Sequence, residues 1–145
     1  MSNKNLPSLF SDFAYNFNPS TLPISSINIF KICLADWVSV SITALGSNIA
    51  KIILSLAKEE DRVQDSFIFG HKSYVSCKTA ALINGTISHA LDYDDTHFAS
   101  LGHPSAVVVP ASLAISDKIG TTIDKFYTAT LIAVSYTHLT LPTKA

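Results

Sequence analysis

The chain has 145 residues, 48% of them hydrophobic and only 14% charged, which is enough sequence for one domain with a hydrophobic core. The formal net charge is −1 and the ten lysines and arginines are scattered singly, which argues against a nucleic-acid-binding surface because such a surface clusters its cations. A mean hydropathy of +0.32 is high for a soluble protein and indicates that the chain packs against a partner or belongs to something larger.

Compartment signals in the sequence predict a cytoplasmic protein with no membrane partner. The N-terminus lacks the apolar run and the small-residue cleavage site of a signal peptide, and no uninterrupted apolar stretch approaches the roughly 20 residues that cross a bilayer. Cys33 and Cys77 lie in apolar helical patterns without CxxC spacing, so we expect free thiols. Arg62 is the only arginine, so the chain by itself offers no bidentate arginine clamp for a carboxylate or phosphate.

The first half of the chain predicts an arm followed by two helices. Residues 1–22 are expected to form a loosely ordered arm. From Pro23, apolar residues recur at steps of three and four up to Leu45, which predicts a long helix with Gly46 as its C-cap. A shorter helix is predicted over residues 48–58.

The second half predicts three further helices. After an irregular stretch whose residues 67–70 could form a short strand, Ser76 is expected to cap a helix that leads into a polar segment. Pro104 fits the first turn of the next helix, which stops near Gly120, and the last helix starts at Thr122. Five helical segments with almost no strand-like alternation predict an all-α fold, a helical bundle.

The C-terminal residues 135–145 do not match the pattern of the last helix. Two threonines and Pro142 interrupt it. We therefore expect the authentic domain to end near Val134 and the tail to be non-native sequence. His138 is excluded from the candidate sites for this reason.

The reactive side chains concentrate between residues 84 and 110. Three aspartates and three histidines lie in this stretch: Asp92, Asp94, Asp95, His89, His97 and His103. Carboxylates and imidazoles are costly to hold together in an apolar protein unless they are paired, bound to a ligand or used in chemistry. This segment therefore carries the functional interpretation.

One face of the predicted helix over residues 76–92 is polar. Positions four apart share a helix face, so Asn84, Ser88 and Asp92 line up, with His89 beside them. Asn84, Ser88 and His89 are therefore candidate substrate-binding residues. Gly85 in mid-helix costs about 1 kcal/mol relative to alanine, which predicts that another backbone or a ligand approaches closely there.

Three interpretations of this segment compete on the residues alone. His89 and Asp92, with Asp94, Asp95 and His97 nearby, could ligate a divalent ion, although no standard metal motif is matched. The cluster could instead end a helix in an assembly domain, with solvent exposure explaining the other two aspartates. In the third interpretation Asp92 faces a pocket and performs general acid–base catalysis with His103, while Thr96 hydrogen-bonds the substrate. Spacing alone does not separate the three.

An ordered motif in this segment is similar to a family signature. Residues 80–116 contain an Asn-Gly pair, the sequence HALDYDDT at residues 89–96, and a His-Pro pair that leads into an Ala-rich helix. This order closely resembles the signature of the MmgE/PrpD family, which includes 2-methylcitrate dehydratase, cis-aconitate decarboxylase and iminodisuccinate epimerase. Residues 35–47 are similar to the family's first long helix, and the similarity covers about residues 23–134.

The resemblance implies the architecture and the chemistry of that family. Its members have a large all-helical domain and a smaller α+β lid domain, form homodimers, and use neither a metal nor an iron–sulfur cluster, so no cofactor is expected. The family's active-site aspartate, threonine and histidine match Asp92, Thr96 and His103. The implied reaction is a lyase reaction on small polycarboxylic acids, most similar to the 2-methylcitrate dehydratase of propionate catabolism, with the decarboxylase and the epimerase as alternatives.

The chain is much shorter than the members of the family. The lid domain and the later helices, which are expected to supply cationic side chains for the substrate's carboxylates, are missing from it. The resemblance thus implies that residues 23–134 are a truncated helical domain and that this chain alone is inactive. A non-catalytic helical interaction or structural domain is the alternative from another functional class.

Overall fold

Helices make up most of the structure. The computed structural model describes residues 5–59, 64–98 and 101–140, the last six of them by their backbone only. Its α-helices, in chain order, are α1 (Leu6–Asn16), α2 (Ile24–Ala44), α3 (Asn48–Ile53), α4 (Cys77–His89), α5 (Pro104–Lys118) and α6 (Ile123–Thr140). Short 3-10 turns span Pro19–Thr21 and Leu54–Glu59. The predicted all-α fold is confirmed, with one small two-stranded sheet added to it.

Local sequence signals fix the boundaries of the two central helices. The Ser76 hydroxyl accepts a hydrogen bond from Thr79 N at the start of α4, as an N-cap serine does. Pro104 occupies the first turn of α5, where its missing N–H leaves no helical hydrogen bond unmade. Gly120 follows that helix with a φ of +62°, a left-handed conformation that glycine adopts without steric cost. These three signals agree with the sequence predictions, whereas α4 ends at His89 and not near Asp92 as predicted.

A small antiparallel hairpin precedes α4. Strand β1 (Ser66–Phe67) pairs with strand β2 (Tyr74–Val75), so the predicted strand exists but begins one residue earlier and is only two residues long. The hydroxyl of Ser66 donates to the backbone oxygen of Ala114 at 2.6 Å. This bond ties the hairpin to α5.

The hydrophobic core is centred on α4. Its buried residues are Ala44, Ala50, Ile68, Val75, Ala80, Ile83, Ile87 and Ala114. A second, smaller cluster joins α2 to α5 and α6 through Trp37, Val109 and Phe126. Full burial of one aliphatic side chain contributes about 1.5–3 kcal/mol, so Ile83 and Ile87 alone hold α4 firmly in its position.

The structure differs from the sequence predictions at both chain ends. The expected loose arm contains α1, which Asn5 caps by accepting a hydrogen bond from Ser8 N. Helix α6 continues to Thr140 and does not end near Val134, because a threonine costs only about 0.7 kcal/mol in a helix and does not break it. Residues 141–145 lie outside the described part of the chain, so the non-native tail stays a prediction.

Helix α2 is long and apolar, and much of its surface is uncovered. An 18-residue window of this 21-residue helix has a mean hydropathy of 1.4, so by length and composition the helix could cross a membrane, which the sequence analysis did not predict. The core helix of a globular domain passes the same test, and Trp37 and Ala44 of α2 are buried. Only 28% of its apolar window is buried, so Ile29 and Ile32 stay on an open apolar face.

Gly85 marks a close approach between α4 and α5. A Cβ atom at this position would lie 3.0 Å from the backbone oxygen of Ala106 and 3.4 Å from Cγ of Pro110. The predicted close approach of another backbone is thus confirmed. No such neighbour exists at Gly46, where a Cβ would meet nothing within 4 Å.

We expect Gly85→Ala to lower the free energy of unfolding by about 1 kcal/mol. Overpacking against a helix backbone typically costs about 1–3 kcal/mol, and the roughly 1 kcal/mol that alanine gains in helix propensity offsets part of this cost. The middle of the range leaves a net loss of about 1 kcal/mol. Urea unfolding followed by circular dichroism measures the difference. Gly46→Ala is the matched control, expected to change stability by no more than about 0.5 kcal/mol. A Gly85→Ala protein as stable as the wild type would contradict the packing argument.

Candidate active site

The loop between α4 and α5 carries the acidic and histidine residues of the motif. It begins with a turn in which Asp92 N donates to His89 O, and Asp92 has a φ of +55°. Aspartate tolerates this left-handed conformation better than most residues, at a cost on the order of 1 kcal/mol. Farther along, His97 N donates to Gly102 O at 2.9 Å, so the loop doubles back before α5 begins.

The Asp94 carboxylate is the buried centre of this loop. Its side chain is 0% exposed, and its two oxygens lie 2.9 and 3.1 Å from Nδ1 of His89. His103 Nδ1 lies 3.4 Å from Oδ2 of the same carboxylate. A buried carboxylate is stable only when donors of this kind surround it. Solvent exposure therefore does not explain Asp94.

Asp94 also sets the orientation of the His103 ring. Its carboxylate Oδ2 and its backbone oxygen both lie 3.4 Å from Nδ1 of His103. Since both oxygens are acceptors, neutral His103 carries its proton on Nδ1 and keeps the lone pair of Nε2 free. That Nε2 lies 3.6 Å from Oδ1 of Asp92, whose side chain is 78% exposed. The structure thus brings Asp92 and His103 together at the surface.

Two imidazoles stand side by side on the wall of an open cavity of about 640 Å³. The ring centroids of His89 and His103 are 4.5 Å apart, and the ring planes are inclined by 54°. The remaining wall is mostly small and apolar, with Gly85 and Pro110 among its residues, and no lysine or arginine lines it in the described part of the chain. Arg62 lies outside the described residues. A small molecule that enters this cavity meets two imidazoles and no permanent cation.

The Asp95 carboxylate caps α5. Its oxygens accept hydrogen bonds from Ser105 N at 3.2 Å and from the Ser105 hydroxyl at 2.8 Å. His103 occupies the N-cap position but makes no side-chain bond to the helix, so Asp95 supplies the cap from the loop. A negative charge at a helix N-terminus typically contributes about 0.3–1 kcal/mol. Helix capping therefore accounts for Asp95.

Thr96 lines a different cavity from the two imidazoles. This second cavity has a volume of about 530 Å³, and Cys33 and Asp95 also lie on its wall. The Thr96 hydroxyl donates to the backbone oxygen of Asp94 at 3.4 Å. Of the three catalytic candidates, the structure pairs Asp92 with His103. Thr96 lines the other cavity, yet its hydroxyl and Nδ1 of His103 both lie 3.4 Å from the backbone oxygen of Asp94.

Asn84 and Ser88 have structural partners. The Asn84 side chain accepts a hydrogen bond from Phe69 N at 2.9 Å and donates to the backbone oxygen of Phe67 at 3.2 Å, which holds the hairpin against α4. The Ser88 hydroxyl donates to Gly85 O within α4. Both residues are only 1–2% exposed, so neither offers surface to a ligand. Of the three predicted substrate-binding residues, only His89 lines the cavity.

Sequence reasoning missed the part played by Asp94. His89 and Asp94 are five residues apart, a spacing that does not bring two side chains together on a helix face. Their contact forms only because the chain turns at Asp92. Nothing in the sequence distinguishes Asp94 from Asp95, although one is buried between two imidazoles and the other caps a helix.

The second cavity holds a thiol that ionises with difficulty. Burial raises the pKa of Cys33, and the negative charge and hydrogen bond of Asp95 raise it further, with a smaller contribution from Asp36. Both cysteines are free, as predicted. The thiolate is the reactive form of cysteine, so a raised pKa protects Cys33 at neutral pH.

We expect iodoacetamide to alkylate Cys33 more slowly in the folded protein than in urea, with the rate rising at higher pH than for the unfolded thiol. A Cys77→Ser background isolates the Cys33 signal, and mass spectrometry measures the rate. Asp95→Asn should lower the pKa of Cys33 and speed its alkylation, while Asp124→Asn, at an exposed carboxylate of α6, should leave the rate unchanged. Equal rates in the Asp95→Asn and wild-type proteins would contradict the coupling.

Asn84→Ala is expected to lower the free energy of unfolding by about 1–3 kcal/mol. The substitution removes both hydrogen bonds to the hairpin and leaves buried backbone groups without a partner. Thermal unfolding followed by circular dichroism measures the loss. Lys78→Ala, at an exposed position of the same helix, is the control and should change stability by no more than about 0.5 kcal/mol. An Asn84→Ala protein as stable as this control would show that the two hydrogen bonds between Asn84 and the hairpin do not stabilise the fold.

A family comparison leads to the same motif as the sequence. The family model for the MmgE/PrpD N-terminal domain matches residues 8–137. This range includes α2 to α5 and the loop with the buried Asp94 carboxylate, and it extends past the predicted similarity over residues 23–134 at both ends. No curated protein matches the chain. Since the match covers most of its length, the chain belongs to the MmgE/PrpD family.

Proposed function

We propose that this chain is part of a lyase that acts on small polycarboxylic acids, with Asp92 and His103 as its acid–base pair. The observation that carries the proposal is the 3.6 Å separation of His103 Nε2 from Asp92 Oδ1, next to a cavity that a small molecule can enter. The MmgE/PrpD family is generally associated with dehydratase and lyase activity, which supports the same reaction class.

The reaction requires one group that accepts a proton and another that donates one. In a dehydration, the base removes a proton from the carbon next to a carboxylate, and the C–H electron pair forms the new double bond. The acid protonates the leaving hydroxyl, which departs as water. The member of the Asp92–His103 pair that is protonated when the substrate binds acts as the acid, and the other member acts as the base. Catalysis of this kind typically contributes about 10²- to 10⁴-fold to the rate.

Two neighbouring residues support the acid–base pair. Asp94 fixes the His103 ring through Nδ1, which keeps Nε2 available for proton transfer. His89 donates to Asp94 through Nδ1 and is half-exposed on the cavity wall, so Nε2 of its neutral ring can accept a hydrogen bond from a substrate hydroxyl.

The carboxylates of the substrate also have to be bound, and Asp92 and His103 do not provide for this. Thr96 matches the family motif, and we assign it to orient a substrate carboxylate. Its hydroxyl lies 3.4 Å from the backbone oxygen of Asp94, the same oxygen that Nδ1 of His103 approaches, which supports this role. The wall around the two imidazoles carries no lysine or arginine in the described part of the chain. We therefore propose that the cations that bind the substrate's carboxylates are side chains other than those that line this wall.

Within the family, 2-methylcitrate dehydration is the reaction we propose. The ordered motif through His103-Pro104 supports it, and cis-aconitate decarboxylation and iminodisuccinate epimerisation are the alternatives with the same motif residues. A cytoplasmic homodimer that needs no cofactor is the matching physiological form. These assignments rest on resemblance to the family's signature.

A non-catalytic assembly domain is the second candidate function. The observation that favours it is the open apolar face of α2, where Ile29 and Ile32 are more than 60% exposed. Such a face suits a protein interface. It does not account for a buried carboxylate held between two imidazoles, which is why the lyase is preferred.

Asp92→Asn and His103→Asn are each expected to lower kcat about 10²- to 10⁴-fold in a complete enzyme that contains this domain, because each removes one member of the acid–base pair. The assay compares 2-methylcitrate, cis-aconitate and iminodisuccinate as substrates. The 145-residue chain alone is expected to show no turnover of any of the three, since no lysine or arginine among the described residues lines the cavity to bind their carboxylates.

His71→Asn serves as the control because it removes an exposed histidine of the hairpin turn. Its kcat should equal that of the wild type. Circular dichroism of each variant shows whether the fold is retained. A folded Asp92→Asn enzyme with the kcat of the wild type would contradict the assignment of Asp92 to the acid–base pair.

A further inference from the structure

Four potential metal ligands converge where the loop meets α4 and α5. His89, Asp92, Asp94 and His103 each offer one ligand atom, and these atoms all lie within 4.8 Å of one another. Two imidazole nitrogens with two carboxylate oxygens form a donor set that suits zinc and similar divalent transition-metal ions. The imidazoles make this cluster more specific than a group of exposed acidic residues.

Two of the distances in this cluster are close to the ligand spacing around a tetrahedral ion. At bond lengths of about 2.0–2.1 Å, two ligands of a tetrahedral zinc ion lie about 3.4 Å apart. His103 lies 3.4 Å from Asp94 and 3.6 Å from Asp92, although through different ring nitrogens. The ring can give only one nitrogen to the ion, so Asp92 has to rotate toward the site. Its side chain is 78% exposed, which leaves room for that rotation.

The charge of the cluster also favours a cation. The Asp94 carboxylate is completely buried, and its ion-pair partners among the described residues are two imidazoles, which carry no permanent charge. A bound divalent ion would compensate this buried carboxylate together with that of Asp92. The open cavity beside the two imidazoles provides a path for the ion.

We infer that His89, Asp92, Asp94 and His103 bind a divalent transition-metal ion of the zinc type, and that this ion is an inhibitor and not a cofactor. It takes the imidazole lone pair and the carboxylate that the proposed reaction needs for proton transfer. Inhibition therefore rests on the proposed function, whereas metal binding does not.

Calorimetric titration of the 145-residue chain with zinc chloride tests the binding. We expect one zinc ion per chain. Loss of a residue that merely supports a metal ligand typically weakens binding about 10- to 100-fold, so His89→Asn and His103→Asn should each weaken it at least about tenfold. His71→Asn is the matched control and should bind zinc as the wild type does. Asp92→Asn changes an exposed side chain, so it tests the site even if a histidine variant fails to fold.

Two results would overturn the site: no zinc binding by the folded chain, or equal weakening by His71→Asn. Visible absorption of the cobalt(II) form gives a second readout, since tetrahedral coordination produces intense bands. Inhibition is measured separately as the zinc dependence of turnover in a complete enzyme. If the chain binds zinc but the complete enzyme has no lyase activity, only the proposed function is contradicted. If the complete enzyme has lyase activity but the chain does not bind zinc, only the metal site is contradicted.

Discussion

The buried carboxylate of Asp94 is the contact on which the rest of the site depends. It joins His89, at the end of α4, to His103, immediately before α5. A carboxylate removed from water must find donors, and two imidazoles provide them. In return the carboxylate holds both rings in fixed orientations, so that His103 presents its second nitrogen to Asp92. If that anchor were lost, the rings would rotate independently and the acid–base geometry would be lost with them.

The packing of α4 on α5 makes this contact possible. Gly85 lets the backbone of α5 approach to a distance that a Cβ atom would obstruct. The same helix pair builds the wall of the cavity beside the imidazoles, which links core packing directly to the candidate site. The glycine is therefore kept at a helix position where alanine would have the higher intrinsic propensity. The tertiary contact outweighs the local preference.

The hydrophobic composition of the chain has a structural counterpart on α2. Nearly half of the residues are hydrophobic, more than the two core clusters use. The excess lies partly on the open face of α2, where Ile29 and Ile32 are exposed. The sequence analysis inferred from the mean hydropathy that the chain packs its apolar surface against a partner or against further parts of a larger protein. The open face of α2 is apolar surface of this kind. This face lies on a different helix from the two imidazoles.

Features that depend on near neighbours in the chain were determined by the sequence itself. The cap at Ser76, the proline at the start of α5 and the glycine after it act within one helical turn, so their pattern predicted the helix boundaries. The order of residues 89–96 and the His-Pro pair likewise determined the family. Weak local signals failed at the ends of the chain, where α1 forms and α6 continues through two threonines.

The tertiary structure alone decided what each polar side chain contacts. Asp94 turns inward to the imidazoles while its neighbour Asp95 caps α5, a difference that adjacent identical residues cannot encode locally. Asn84 lies on the predicted polar face, yet its amide is used to hold the hairpin. Thr96 continues the motif but lines another cavity. In each case the direction of the side chain depends on how a loop or hairpin packs against α4 and α5, and that packing involves residues far apart in the sequence.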